Sequence, residues 1–299
     1  MKTYLPLILF FTIINYTSFA QNKPLNNWKG EKLRGKVKSV KEYSYPDGKK
    51  ENKITKYSLM IYNKDGYMTE KSKYINDTMD EKTVFFCNRW GKVTERDEYY
   101  KGDYVKNQSY YSFDDKGNCI KTDNNDGNDN ILSQSFYKYD DKENLIEQID
   151  TNRKYGEQIR TMEYDAKGNM IKLSLFTGGE WYNYEIYQYD ERGNRIDIKI
   201  YITKDNSLDG HYSYKYDKDN NLIEYVYYGT FTDGKEVETF QYDKYGNEIS
   251  DVKISTGDDK PSKELTTTYK YDASGNWIQM TLHKKNKPDI IFERVIEYY

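Results

Sequence analysis

The sequence predicts an all-β fold: a repetitive antiparallel hairpin meander of about nine two-stranded repeats, each of ~26 residues, coiled into a spiral, a shell or a wide barrel-like sheet. Three observations predict it. A turn motif, Tyr-Asp-x-x-Gly-Asn-x-Ile, recurs at near-constant spacing after residue 50. The segments flanking it alternate apolar and polar with a period of two, as a strand does. Of 299 residues, 34 are tyrosine and only five are proline, so aromatic rings replace the usual Leu, Val, Ile and Ala. That composition argues against an ordinary α/β enzyme and against a polytopic helical membrane protein. Aromatics at 16% also argue against a disordered tail.

In chain order, residues 1–20 read as a secretory signal peptide. Lys2 supplies the positive start, Tyr4 to Ile14 an apolar run too short for a membrane span, and Ser18 and Ala20 the small residues before a cleavage at Gln21. The mature chain is expected to be secreted or periplasmic, with a charge of −4 once Lys2 is removed with the leader. So balanced a charge gives no electrostatic footprint for nucleic acid. Residues 21–32 show no pattern and read as a loose N-terminal arm; residues 33–299 read as a single repeat domain. Val37 to Tyr45 looks like a capping strand that ends at Pro46-Asp47-Gly48.

The motif starts at residues 62, 87, 113, 139, 164, 189, 216, 242 and 271, with spacings of 25, 26, 26, 25, 25, 27, 26 and 29. Its clearest copies are Tyr164-Asp165 with Gly168-Asn169, Tyr189-Asp190 with Gly193-Asn194, Tyr242-Asp243 with Gly246-Asn247, and Tyr271-Asp272 with Gly275-Asn276. Aspartate suits the first position of a type I turn, since its carboxylate accepts from backbone N–H groups two residues on. Glycine four residues after the tyrosine suits a left-handed closing position. Asn220 can replace it there, whereas Glu143 pays a left-handed penalty and is expected to sit in an altered turn.

Apolar residues lie two before the motif tyrosine (Tyr111, Met162, Tyr187, Tyr214), with polar ones between. The return strand starts with an isoleucine seven residues after each of the last seven motif starts (Ile120, Ile146, Ile171 and onward), which the alternation assigns to the apolar face. Turn signals at the far ends, including Gly102-Asp103, Gly178-Gly179, Asp209-Gly210, Asp233-Gly234 and Gly257-Asp258, vary in length and sequence. One rim is therefore regular and the other variable. Some eighteen strands at about 4.8 Å make a sheet too wide to stay flat.

The nine motifs resemble the YD repeats of the Rhs-repeat family, which includes bacterial Rhs proteins and teneurins. The resemblance covers Tyr62 to about Tyr299. It implies a long β-sheet wound into a hollow shell and an envelope-associated role. Family shells enclose a toxin domain; this chain ends at Tyr298-Tyr299 and is expected to carry none.

Chemistry is sparse. His211, read as just before a strand, and His283, read as just after one, lack ligand-spaced partners and suit surface positions. Two strands lie between Cys87 and Cys119, about 14 Å in a simple meander and too far for a disulfide, so they are expected to be free thiols. The loop from Asp123 to Asn130 misses the EF-hand offsets and reads as a plain turn. No cofactor, metal or catalytic constellation is expected. Trp90, Trp181 and Trp277 suit the repeat lattice; Trp181, with Glu180 and Tyr182 on the variable rim, is the candidate ligand-binding group. The leading expectation is an exported, non-catalytic binding or scaffold module for a glycan or an envelope or secreted protein. The alternative is a partial shell that sequesters a separately encoded polypeptide, and a minor alternative is an outer-membrane β-barrel.

Overall fold

Each motif folds into the same turn. In the Asp165 copy, Gly168 N donates to Asp165 O (3.1 Å) and Asp165 N to Asn169 O (2.9 Å). The Asp165 carboxylate accepts from the backbone N–H of Lys167 and of Asn169, both at 2.9 Å, and the Asn169 amide donates back to it at 2.9 Å. The closing residue has positive φ in all nine copies, from Gly66 (85°) to Gly275 (83°). Glu143 adopts the same conformation (φ 67°), with the same bonds around Asp140 and Asn144. The altered turn expected there does not form, because the Asp–Asn clasp holds the backbone left-handed without glycine. In the two degenerate copies Asn63 and Asn88 take the aspartate's place and accept from the same two amides.

The computed structural model describes residues 27–48, 55–102, 104–152, 156–229, 234–257, 260–285 and 287–299. The expected signal peptide with its expected cleavage after Ala20, residues 21–26 of the expected arm, and the turn residues Asp103, Asp233 and Asp258 lie outside them. After a short helix, α1 (Asn27–Gly30), come β1 (Val37–Tyr45), β2 (Lys56–Tyr62), β3 (Met68–Ile75), β4 (Thr78–Cys87), β5 (Val93–Tyr100), β6 (Tyr104–Phe113) and β7 (Cys119–Asp126). Then follow β8 (Ile131–Tyr139), β9 (Leu145–Asn152), β10 (Gly156–Tyr164), β11 (Met170–Thr177), β12 (Glu180–Tyr189), β13 (Arg195–Ile202) and β14 (Leu208–Tyr216). The last six are β15 (Leu222–Gly229), β16 (Lys235–Tyr242), β17 (Glu248–Ser255), β18 (Lys263–Tyr271), β19 (Trp277–Lys284) and β20 (Ile290–Tyr298). Every neighbour in sequence pairs antiparallel, and β1 pairs with both β2 and β20. The sheet is a closed 20-stranded barrel of radius 19 Å. At a 4.8 Å strand spacing that radius requires a tilt of about 36°, ordinary for a barrel. Val37–Tyr45 is thus a member of the ring and not a cap. The Asp209-Gly210 pair, expected in a turn, lies inside β14. The turn falls at residues 203–207 instead, and Gly210 sits in the wall where a Cβ would meet the Tyr212 ring at 3.4 Å.

One residue past each motif turn the register slips. Tyr164 pairs with Met170 but Glu163 with Lys172, so Ile171 is bulged out of the ladder. The same slip bulges Ile120, Ile146, Ile196, Ile223, Ile249 and Ile278. These isoleucines therefore do not join the apolar face, as simple alternation assigned them. Ile120, Ile146, Ile171, Ile223 and Ile278 rank among the exposed hydrophobics. In the first two repeats threonine holds this site, and Thr69 and Thr94 donate to the carbonyls of Ile61 and Phe86.

Residues 27–34 are not a loose arm. The Trp28 indole donates to Val37 O at 2.8 Å, and its ring packs with Leu33, Val37, Val40, Met60, Tyr62 and Met68. Burying such a ring contributes about 2–3 kcal/mol. Trp28 N reaches Gly66 O (3.3 Å) and Lys32 Nζ reaches Gly246 O (2.6 Å). Those two turns lie six strands apart around the ring, about 36 Å of arc at this radius. Four helical residues and a lysine side chain span only about 13 Å. The strap therefore crosses inside the wall and draws the rim inward. The face it packs on, carrying Met60 and Val40, is the luminal face. Cross-strand pairing carries that face round the ring through Arg96, Ser109, Arg160, Leu173, Tyr187 and Tyr212. Exposure agrees: on β18, Glu264, Thr266, Thr268 and Lys270 are exposed, whereas Lys263, Leu265, Thr267 and Tyr269 on the luminal side are half-buried or buried.

Candidate functional site

The motif tyrosines bind one repeat to the next. Tyr139, Tyr164, Tyr189, Tyr216 and Tyr242 each donate to the carbonyl of the residue that opens the preceding return strand, at 2.7 to 3.0 Å. Burial raises their pKa values, Tyr164 and Tyr242 to about 12, so they stay protonated donors. Tyr271 and Tyr298 turn instead to the carboxylates of Asp243 and Asp272, and accept from the amides of Asn247 and Asn276 at 2.8 Å. The motif residues, Asp190, Gly193 and Asn194 among them, are thus structural.

The luminal wall divides into sectors. From β5 to β10 it is polar: Arg96 donates to Ser109 (3.2 Å), Ser109 to Asn124 (2.8 Å), Asn124 to Ser133 (3.0 Å), and Arg160 pairs with Asp150. From β11 to β15 it is apolar and aromatic, with Tyr187, Ile198 and Ile200 buried beneath Leu173, Tyr212 and Tyr214. Tyr212 stacks on Tyr227 (4.9 Å between centroids, 29°) and on Tyr225 (5.9 Å, 25°), and Tyr214 tilts against Tyr225 at 5.6 Å. From β16 to β18 it is charged: Lys263 holds Glu238 (2.7 Å) and Asp251, and Lys253 holds Glu236 (2.8 Å). Desolvation raises the pKa of Asp251, with a carboxyl hydrogen bond to Glu238 adding to it.

The variable rim carries the groups singled out from sequence. Glu180, Trp181 and Tyr182 open β12 directly after the Gly178-Gly179 turn; Trp181 is 46% and Tyr182 53% exposed. The Trp181 ring meets Phe176 edge-on at 5.5 Å. Tyr104, 65% exposed, and Tyr100 stand on the same rim, flanking the β5–β6 turn. A cleft there is lined by Ile75, Met79, Asp80 and Lys101. Sequence reasoning missed Tyr100 and Tyr104. Trp277 is luminal filler under the Arg294 guanidinium, 3.5 Å from its ring centroid, while Trp90 projects from a motif turn, 59% exposed.

His211 lies within β14 and His283 within β19, not beside strands as expected. His211 Nε2 meets Asp197 at 2.6 Å and stacks on Tyr228; His283 meets Asp289 (3.1 Å) and Thr268 (3.2 Å). The two do not come together, and among the described residues no group of three or more His, Cys, Asp or Glu could hold a metal. Asp126 caps a turn of the motif type, accepting from Asn128 N and Asn130 N at 2.9 Å. Cys87 and Cys119 are free thiols, both with pKa raised by burial.

No family model matches the chain, and no curated protein matches it. Among solved structures it is similar to TcdB2-TccC3 without its hypervariable C-terminal region, at 14% identity and a TM-score of 0.41, over 81% of this chain and 15% of that one. The chain thus spans less than a sixth of that protein's length. It is also similar to a porin-like protein from Bacteroides uniformis (12% identity, TM-score 0.36, 87% of this chain and 98% of that one). A porin-like protein from Bacteroides vulgatus gives 12% identity and a TM-score of 0.26 over 88% and 98% of the two chains.

Proposed function

We propose that the protein is an exported, non-catalytic binding barrel whose variable rim takes a glycan. The observation that carries this reading is the division between the rims: nine turns of one conformation at one end, and at the other, loops of differing length that present Trp181, Tyr182 and Tyr104 to solvent. Aromatic faces beside carboxylates and amines suit sugar rings, which offer C–H faces and hydroxyls together. A glycan array probed with the native protein and with Trp181→Ala and Tyr104→Ala variants tests it. Binding that is lost in both variants supports rim recognition; binding that neither variant changes rejects it.

Closure of the barrel favours a second reading, a container for a separately encoded polypeptide. A side-chain layer about 5 Å deep leaves a bore about 28 Å across. Purification from the native host decides: a stoichiometric bound polypeptide supports the container, and a protein without one rejects it. Against the outer-membrane reading stand Lys41, Asp123 and Lys199, mid-strand on the outer face, where a charge at mid-bilayer depth costs up to roughly 2–4 kcal/mol. Recovery in the membrane fraction overturns that argument. Sequencing the N-terminus of the exported protein tests cleavage after Ala20.

A further inference from the structure

The barrel holds two kinds of tyrosine. Those of the motif spend their hydroxyls on backbone carbonyls or on turn carboxylates. Tyr212, Tyr214, Tyr225 and Tyr227, four luminal rings on the adjacent strands β14 and β15, do not: among the described residues none of their hydroxyls has a hydrogen-bond partner, although all four rings stack on one another. Tyr212 and Tyr214 have pKa values pushed up to about 12 by burial, so the wall presents neutral phenols, each able to donate and to accept.

We infer that this tyrosine wall is a binding surface for a neutral oligosaccharide inside the barrel, separate from the rim. The apolar patch on the luminal face of β1 to β4 is covered by the chain's own Trp28 and Leu33; over β14 and β15 no described element lies. The luminal positions of β14 and β15 carry no charged side chain; of the charges beside them, Lys253 is matched with Glu236 and Lys263 with Glu238, and Arg195 lies over the Tyr187 and Tyr214 rings, 5.5 and 5.8 Å from their centroids. Glu185, half-buried beside the wall, accepts from Tyr187 at 2.5 Å. A polyanion or a charged peptide would meet only Arg195 at the edge of the wall, already held over two rings, and no countercharge on the luminal face of β14 and β15. A neutral sugar chain loses nothing there: its C–H faces stack on the rings and its hydroxyls meet free phenols. Stacking of this kind is sequence-tolerant, as it is for bases on aromatic platforms, so the wall reads ring shape and length more than linkage.

Titration calorimetry of the full-length exported protein with maltohexaose, cellohexaose and xylohexaose tests the inference. At least one hexaose binds, with affinity unchanged between about 0.05 and about 0.5 M salt, as a neutral ligand requires. The double variant Tyr212→Leu/Tyr227→Leu keeps apolar bulk but no ring and binds at least tenfold more weakly. Tyr212→Phe/Tyr227→Phe keeps the rings but not the hydroxyls and shows a loss smaller than that of the leucine pair, while Trp181→Ala, whose site is the rim, stays within about threefold of native. Single Tyr225→Leu and Tyr227→Leu variants, each leaving three rings, give the same direction should the pair not fold. The inference is overturned if no hexaose binds, if the leucine variants bind as the native protein does, or if binding moves with Trp181 alone. It is equally overturned if an acidic or basic peptide binds in preference with salt-sensitive affinity.

Discussion

The Tyr164 hydroxyl donates to the carbonyl of Leu145 at 2.7 Å, nineteen residues earlier in the chain. That bond is repeated around the wall, and it explains why the motif needs tyrosine and not merely an apolar ring.

Replacing Tyr189 by phenylalanine removes the donor to Met170 O (2.8 Å) and leaves that carbonyl short of a partner. The loss is about 1 kcal/mol, read as a lower urea midpoint. Tyr182→Phe, at an exposed rim position, leaves the midpoint unchanged. Equal effects of the two substitutions would contradict the assignment.

Glu143→Gly stabilises the barrel. Glu143 sits at φ 67° where seven copies have glycine, and relief of the left-handed penalty contributes about 1 kcal/mol. The urea midpoint rises; a fall would mean that the glutamate side chain makes a compensating contact.

Ile171→Thr is tolerated within about 0.5 kcal/mol, because the bulged isoleucine is exposed and Thr69 and Thr94 already occupy the equivalent site. Met162→Ala, at a luminal position 6% exposed, costs about 2–4 kcal/mol. The two denaturation curves separate a bulge from a core position that simple alternation cannot tell apart.

Acid weakens the turns together. Hydrogen bonds from the Asn169, Asn194 and Asn221 side chains, with backbone amides, hold the pKa values of Asp165, Asp190 and Asp217 below the usual carboxylate value. A group depressed in the folded state stabilises it above the unfolded pKa, about 3.9, and that contribution is lost as pH falls through the folded value. Melting temperature therefore drops below about pH 4. An Asp165→Asn/Asp190→Asn double variant is less stable at neutral pH and has a shallower acid slope. A slope identical to that of the native protein would show that the turns do not carry it.

Much of this was legible in the sequence, and the failures share a cause. Fixed offsets revealed the hairpins, because Asp, Gly and Asn act within five residues of one another. Alternation placed Met162 and Tyr187 correctly but misplaced Ile171, since a bulge shifts the face by one and leaves no mark in composition. Trp28 was invisible as an anchor because its partners lie 5 to 40 residues away and no periodicity points to them. Closure depends on β1 meeting β20, a relation between the two ends that no local pattern encodes. The rim position of Glu180, Trp181 and Tyr182 was legible because a Gly-Gly turn precedes them. The wall tyrosines were hidden among 34, and their stacking on one another across two adjacent luminal strands sets them apart.

Since β20 returns to β1, the ring fixes its own copy number. An open spiral can lose or gain a hairpin at little cost, as solenoids do. A closed ring cannot do so without changing calibre: one more repeat of the same tilt widens the radius by about 2 Å. It also pulls the Trp28–Lys32 strap off one of its two anchoring turns. Duplication of a 26-residue unit, the event by which such arrays grow, is therefore gauged by a brace only eight residues long.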